Sequence, residues 1–257
     1  MTTPDSTTRF SGRVENYLRY RPRYPREIIP FLQREIGLDS SWRVADIGSG
    51  TGFLAERFVE LGCEVTGVDP NGAMREAGDR YLCGRGNFRG VYGTAERTGL
   101  PGASFDLVSA GQAFHWFEPA STRAEFIRIL RPSGWIVLVW NSRPAALSPV
   151  TREYESILGD LGQDYEKVAE KNTRPETMNG FLGNGASLTH ARFPNIQSYT
   201  WDQLRGRALS SSYAPLPSNR RHGWFVQALR ALYERHQVDG LLAFPYETNL
   251  YWGQLAS

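Results

Sequence analysis

Cysteine is nearly missing from this sequence. Cys63 and Cys83 are the only two thiols in 257 residues. That is too few for a secreted disulfide framework, and they lack the paired spacing of a zinc site. A reducing cytoplasm is the expected setting, and no metal is expected. An excess of one charge is missing too. Lysine plus arginine number 29 and aspartate plus glutamate 27, a formal net charge of +2, which offers no footprint for nucleic acid or an anionic membrane. No run of about 18 apolar residues occurs, so a transmembrane helix is not expected. Residues 1–8 are polar and lack the apolar core of a signal peptide. No repeat of fixed period is present. What remains is ordinary globular material, 40% hydrophobic and 22% charged, long enough to bury a core without covalent staples.

From residue 43 to 141, short β-branched runs alternate with helical stretches. The runs are 43–47, 64–68, 88–92, 105–109 and 135–140, with room for a crossover between each pair. The last, Trp135-Ile-Val-Leu-Val-Trp140, is apolar throughout, as a strand covered on both faces requires. Strands alternating with helices predict a parallel sheet with right-handed crossovers. One helix is predicted from Gly52 through Leu61, with Phe53, Leu54, Phe58 and Leu61 on one face and Gly62 as its stop. Another starts near Pro119 and carries Phe126, Ile129 and Leu130. Ahead of the sheet, 11–20 and 25–36 read as two helices split by Arg21-Pro-Arg-Tyr-Pro25, because proline does not continue a helix.

Past Asn141 the regularity fails. Residues 150–170 read as helical, 171–187 show no period, 190–199 read as a strand, 220–236 as an amphipathic helix and 241–252 as a final strand. The predicted fold is α/β, a Rossmann-like, doubly wound, seven-stranded, mostly parallel sheet with N-terminal and C-terminal helical lid elements. Residues 1–36 are expected as cap helices of the same domain, with 37–257 as the main body and a lid insertion over 143–187.

Asp46-Ile-Gly48-Ser49-Gly50-Thr-Gly52 falls where the first strand meets the first helix. Glycines there let the backbone turn sharply, approach a ligand and aim N–H groups at it. A dinucleotide site wants another glycine where this chain has Phe53, and its strand usually stays apolar up to the first glycine, whereas this one carries Asp46. An acid beside the loop suits a ligand bearing ammonium and sulfonium better than one bearing pyrophosphate. Asp69, ending the second strand, lies where an acid holds a ribose diol in such folds. As bare structure the same residues make a tight turn and a helix cap; it is their combination that favours a ligand.

Val44-Ala-Asp-Ile-Gly-Ser-Gly-Thr-Gly52 is joined by Val65-Thr-Gly-Val-Asp-Pro70, Gly93-Thr-Ala-Glu96, Leu100-Pro101, Ser104-Phe-Asp-Leu-Val108, Gln112-Ala-Phe-His-Trp116 and Leu130-Arg-Pro-Ser-Gly134. Together they resemble the class I S-adenosylmethionine-dependent methyltransferases, of the type 11 kind. Tyr20-Arg-Pro-Arg-Tyr-Pro25, Ser211-Ser-Ser-Tyr-Ala-Pro215 and Phe244-Pro-Tyr-Glu-Thr248 are similar to flanks of the trans-aconitate methyltransferase-like branch. The resemblance implies S-adenosyl-L-methionine as cofactor. By position, Asp46, Gly48, Ser49, Gly50 and Gly52 would hold its methionine part, Asp69 its ribose, and Pro70 and Met74 its adenine face. Thr94, Ala95 and Glu96 would meet the adenine edge, and Gln112 would lie near the methyl group. The implied reaction is in-line methyl transfer to a small-molecule acceptor, with oxygen (carboxylate or hydroxyl) favoured by the branch. Residues 172–188 match nothing in it and are expected to shape the acceptor pocket.

Methyl transfer from a sulfonium has a good neutral leaving group, so the protein mainly positions the acceptor and excludes water. A base matters only where the acceptor must lose a proton. His115, beyond the fourth strand, is the candidate, and a packed histidine is the plain alternative. Phe114, Trp116 and Phe117 suit either an acceptor pocket or the packing of the next helix. Tyr17, Tyr20 and Tyr24 alternate with Arg19, Arg21 and Arg23, which suits a cap whose Arg21 reaches the cofactor carboxylate. Arg143, Arg205, Arg207, Arg220 and Arg221 are candidates for a substrate carboxylate. Three rivals stay open: a nicotinamide-dependent oxidoreductase, a protein that binds the cofactor without turnover, and a methyltransferase of macromolecules.

Overall fold

The computed structural model describes residues 14–85, 87–161, 180–182, 188–211 and 213–255. Two helices, α1 (Val14–Tyr20) and α2 (Ile28–Ile36), precede β1 (Arg43–Ile47), α3 (Ala55–Leu61), β2 (Glu64–Val68), α4 (Gly72–Leu82) and β3 (Phe88–Val91). There follow β4 (Phe105–Gly111), a 3-10 turn at Phe114–Trp116, α5 (Pro119–Ile129), β5 (Leu130–Ser142) and α6 (Pro149–Gly159). The chain then forms β6 (Thr189–Tyr199), α7 (Trp201–Leu209), α8 (His222–His236) and β7 (Leu242–Gly253).

All seven strands join one sheet in the order β3-β2-β1-β4-β5-β7-β6. The first five are parallel, and β7 runs antiparallel between β5 and β6. Because side chains alternate across a strand, the sheet feeds two cores. Ala45, Ile47, Val108, Ile136 and Leu138 pack with Phe114, Phe126 and Ile129 on one side. Val44, Val65, Leu107, Val137 and Val139 pack with Ile28, Leu32, Phe53 and Phe58 on the other. A third cluster covers the β6–β7 end of the sheet, where Tyr154 of α6, Leu204 of α7 and Phe225, Leu229 and Leu232 of α8 close over Phe244 of β7.

Helix ends follow local chemistry. Asn71 caps α4 by accepting from Met74 N (3.1 Å), and Ser148 and Thr200 open α6 and α7 with capping boxes. Several expectations shift. Helix α2 begins at Ile28 rather than at residue 25, after a turn at 26–27, and Leu130 falls in β5 rather than on the helix from Pro119. Regular helix α3 begins at Ala55, since Thr51–Leu54 form turns. Strand β5 starts at Leu130 and so is longer than the apolar run at 135–140. Helix α6 ends at Gly159. Residues 11–13 and most of the expected lid segment lie outside the described residues. No helix among the described residues is long and apolar enough to cross a membrane.

Candidate active site

The loop after β1 folds back onto the end of β2, with Gly48 N and Ser49 N both donating to Val68 O (2.8 and 3.1 Å). Gly48 and Gly50 have φ of 67° and 54°, which side-chain-bearing residues rarely adopt. A Cβ on Gly48 would sit 2.5 Å from Ala113 Cβ, and one on Gly50 would sit 3.2 Å from Met74 Cε. The turn therefore brings bare backbone to the C-terminal ends of the strands.

Asp69 is fixed there by two backbone donors. Gly50 N donates to its Oδ2 (2.9 Å) and Asn71 N to its Oδ1 (2.8 Å). Burial raises the Asp69 pKa above the usual carboxylate value, with those donors and Arg75 opposing the rise. A cavity of about 270 Å³ opens beside it. Of the residues implicated by the sequence, Gly48, Gly50, Asp69, Pro70, Met74, Thr94, Ala95, Glu96 and Gln112 line this cavity, along with Tyr17, Trp116 and Phe117.

A smaller chamber of about 30 Å³ shares Tyr17, Gly48, Gly111 and Gln112 with the first, and also takes in Asp46, Ser49, Thr51, Arg21, Tyr24 and Asn141. Asp46 is buried and accepts from Ser109 Oγ (2.7 Å). Burial pushes its pKa up to about 7 despite the Ser109 and Ala55 N–H hydrogen bonds that oppose the shift. Two buried polar atoms of residues on this chamber, Arg21 Nε and Thr51 Oγ1, have no hydrogen-bond partner among the described residues. Buried polar groups are nearly always paired, so these atoms are suited to a ligand. Gln112, which borders both chambers, is a non-glycine residue at φ 55°; its Nε2 donates to Asn141 O (3.1 Å). Such strain persists only where the surroundings enforce it.

Five residues from the sequence reading fall elsewhere. Gly52 abuts Leu82, where a Cβ would come within 2.8 Å of Cδ1, so it serves the packing of α4. Tyr20 lies over Gly206, leaving no room for a Cβ there. Phe114 is fully buried among Phe117, Trp140 and Phe181 rather than facing either chamber. His115 leans on Trp116 (ring centroids 4.8 Å apart) and lines neither chamber. Arg143 is taken up by Glu155 (3.0 Å) and the Tyr213 hydroxyl (3.3 Å).

Among the other arginines, Arg207 is fully buried and donates to the hydroxyls of Tyr246 and Tyr154 (2.7 and 2.6 Å). Arg205, Arg220 and Arg221 are exposed. The sequence reading missed Thr51 and Asn141. A polar residue directly after the apolar run 135–140 was the available signal for Asn141.

A sheet in this order, with a glycine turn over β1 and a carboxylate ending β2, defines the Rossmann-like methyltransferase class of fold. Residues 45–138 match the family model described as a methyltransferase domain. An uncharacterized methyltransferase of Mycobacterium tuberculosis is 38% identical over 172 residues, covering 67% of this chain and 66% of that protein, just under two thirds of its length. One from Schizosaccharomyces pombe is 29% identical over 200 residues, 76% of this chain and 75% of that protein. Among solved structures, the YcgJ protein of Bacillus subtilis superposes with a TM-score of 0.59 at 18% identity, covering 91% of this chain and 100% of that one. Haemonchus contortus phosphoethanolamine N-methyltransferase 2, solved with phosphomonomethylethanolamine and S-adenosylhomocysteine, gives 0.56 at 16% identity, covering 98% of this chain and 59% of that one. These two likenesses establish the fold. The chain carries a methyltransferase domain over residues 45–138, on the Rossmann-like fold of that class.

Proposed function

We propose that this protein transfers the methyl group of S-adenosyl-L-methionine to a small-molecule acceptor, at an oxygen nucleophile. The observation that carries the reading is Asp69, fastened between Gly50 N and Asn71 N at the wall of the larger cavity. Each carboxylate oxygen keeps a further lone pair for a ribose hydroxyl. The smaller chamber has the charges that a zwitterionic methionine end requires. Asp46 faces an ammonium, while Arg21 Nε and Thr51 Oγ1 are free to donate to a carboxylate. Pro70, Met74 and Phe117 give the larger cavity apolar surface for an adenine, and Glu96 an acceptor at its edge.

When bound, the cofactor supplies an electrophilic methyl on a sulfonium. The chain's own task is to hold the two reactants in line and keep water out. Gln112 stands at the junction of the chambers, pinned to Asn141, where it would orient the reacting end. Tyr17 and Arg21, on and just after α1, line the smaller chamber and would act as the cap. Resemblance to the trans-aconitate methyltransferase-like branch supports the oxygen acceptor, the near-neutral charge supports a small molecule over nucleic acid, and the scarcity of cysteine supports a cytoplasmic setting.

Calorimetry tests the reading. S-adenosylhomocysteine should bind and NAD should not, and Asp69→Ala should weaken binding by roughly 1.5–3 kcal/mol, the range for a hydrogen bond to a charged group. An unchanged dissociation constant would remove Asp69 from the site, and NAD binding would replace the reading with a dehydrogenase. Release of S-adenosylhomocysteine in the presence of a carboxylic or hydroxylic acceptor separates an enzyme from a protein that only binds.

A further inference from the structure

Three polar side chains are buried together where the last strands of the sheet adjoin. Asn141 on β5, Thr248 on β7 and Asn195 on β6 are 5%, 0% and 7% exposed. Strand register places Asn141 directly opposite Thr248. Thr248 in turn opposes Phe193, two residues from Asn195, so all three share one face. Thr248 Oγ1 donates to Asn141 Oδ1 (2.5 Å). Asn195 Nδ2 lies 3.1 Å from Asn141 Oδ1 and 3.2 Å from Thr248 Oγ1. Gln197 Nε2 donates to Asn195 Oδ1 (2.6 Å), which orients the amide with its NH₂ toward the network.

Burying amides on a sheet face is costly unless every group is satisfied, and here the network ends on main-chain carbonyls. Asn195 Nδ2 donates to Arg23 O (2.8 Å), and Asn141 Nδ2 faces Arg23 O (3.3 Å) and Pro22 O (3.4 Å). Pro22 and Pro25 have no N–H, which makes carbonyls the natural handles on this segment. The segment matters because Arg21, Pro22 and Tyr24 form one wall of the smaller chamber. The Tyr24 hydroxyl presses on Gly111, where a Cβ would lie 2.6 Å from it. Asn141 O also receives Gln112 Nε2 (3.1 Å). One network therefore fastens both the cap and the residue between the chambers, from strands β6 and β7 that lie outside the matched segment 45–138.

We infer that Asn195 is a positioning residue for cofactor binding: by holding the Arg23 carbonyl it sets Arg21 and Tyr24 against the chamber. This rests on the cofactor reading above. The test is Asn195→Asp in the full chain, titrated with S-adenosylhomocysteine at pH 5 and pH 8 beside the wild type. The partners of residue 195 are uncharged (Gln197, Asn141, Thr248 and a carbonyl), so the new carboxyl is the added titrating group. At pH 8 the ionised form cannot donate and repels the Arg23 carbonyl, and affinity should fall about tenfold, the loss of one hydrogen bond. At pH 5 the burial-raised carboxyl is largely protonated, donates to Arg23 O, and the ratio to wild type should return toward one. Taking the ratio cancels the titrations of Asp46 and Asp69, which both proteins share.

Asn195→Ala should lose the same factor at both pH values. It should also speed amide exchange over residues 18–24 without ligand. A ratio independent of pH in Asn195→Asp, or unchanged exchange in Asn195→Ala, overturns the inference. If the wild type binds no S-adenosylhomocysteine the cofactor reading falls. The exchange experiment then still decides whether Asn195 holds the segment.

Discussion

Asp46 should cost the protein stability at the pH where it is useful, and replacing it makes that cost measurable. Its carboxyl is buried, and burial moves its pKa from 3.8 to about 7. The sign follows from linkage. Below the unfolded value both states are protonated and the group contributes nothing adverse. As the pH rises from there through about 7, the unfolded chain ionises first, so folding must take up a proton. At a little over about 1 kcal/mol per pH unit, the penalty is roughly 2 kcal/mol at pH 5 and levels off near about 4 kcal/mol at pH 8. Asp46→Asn removes the titration. It keeps an oxygen for Ser109 Oγ, but turns an amide toward the Ala55 N–H, at a cost of about 1–3 kcal/mol that does not depend on pH. The variant should thus gain roughly 2–3 kcal/mol on the wild type between pH 5 and pH 8, whatever its offset. Urea unfolding of both proteins at the two pH values reads this difference directly. An equal stability gap at pH 5 and pH 8 would refute the reasoning, because a carboxyl with an ordinary pKa is ionised at both. Asp46→Asn should also lose cofactor affinity at pH 8, where the wild-type group is charged.

Gly50→Val should abolish S-adenosylhomocysteine binding while the circular dichroism spectrum survives, since a side chain at φ 54° would crowd Met74 Cε and the cavity; normal binding would mean that the loop does not face the ligand. Burial alone would raise the Tyr213 pKa, but the guanidiniums of Arg143, Arg207 and Arg21 outweigh it and lower it to about 8. An ultraviolet titration should show one phenol ionising about there that Tyr213→Phe lacks. A folded value below the unfolded one means that wild type gains stability on the variant as the pH rises from 8 toward 10. Identical titration curves would sink the assignment.

What was legible in the sequence was local. The five parallel strands announce themselves as short β-branched runs alternating with helical stretches, the fifth with an apolar run at 135–140 because it is buried on both faces there, and the glycine turn because the backbone geometry leaves few other residues possible. The starts of α3 and β5 were misjudged where turn residues and proline-glycine punctuation stand beside regular structure. Phe114 and Phe117 look alike in sequence, yet Phe114 points wholly into the core and Phe117 meets the cavity; the twist of one 3-10 turn decides it. Arg143 finds Glu155 within the next helix, so its charge is spent on packing. Tyr20 is drawn away by the bare backbone of Gly206. The network of Asn141, Asn195 and Thr248 joins strands far apart in sequence, and no periodicity points to partners at such separations.

The place of β7 in the sheet has a consequence for biosynthesis. Among the described residues β6 pairs only with β7, and β7 is the later strand. On a ribosome, β1 to β5 can zip together in sequence as they emerge. β6 must wait unpaired, and β5 must leave one edge bare, until Leu242–Gly253 is made. That interval exposes apolar strand to other nascent chains, which is when a chaperone has something to hold. Thr248 arrives with β7, and it carries the hydroxyl that joins Asn141 and Asn195. The Arg23 carbonyl, translated well before β7, therefore waits for that strand before the network that holds it is complete.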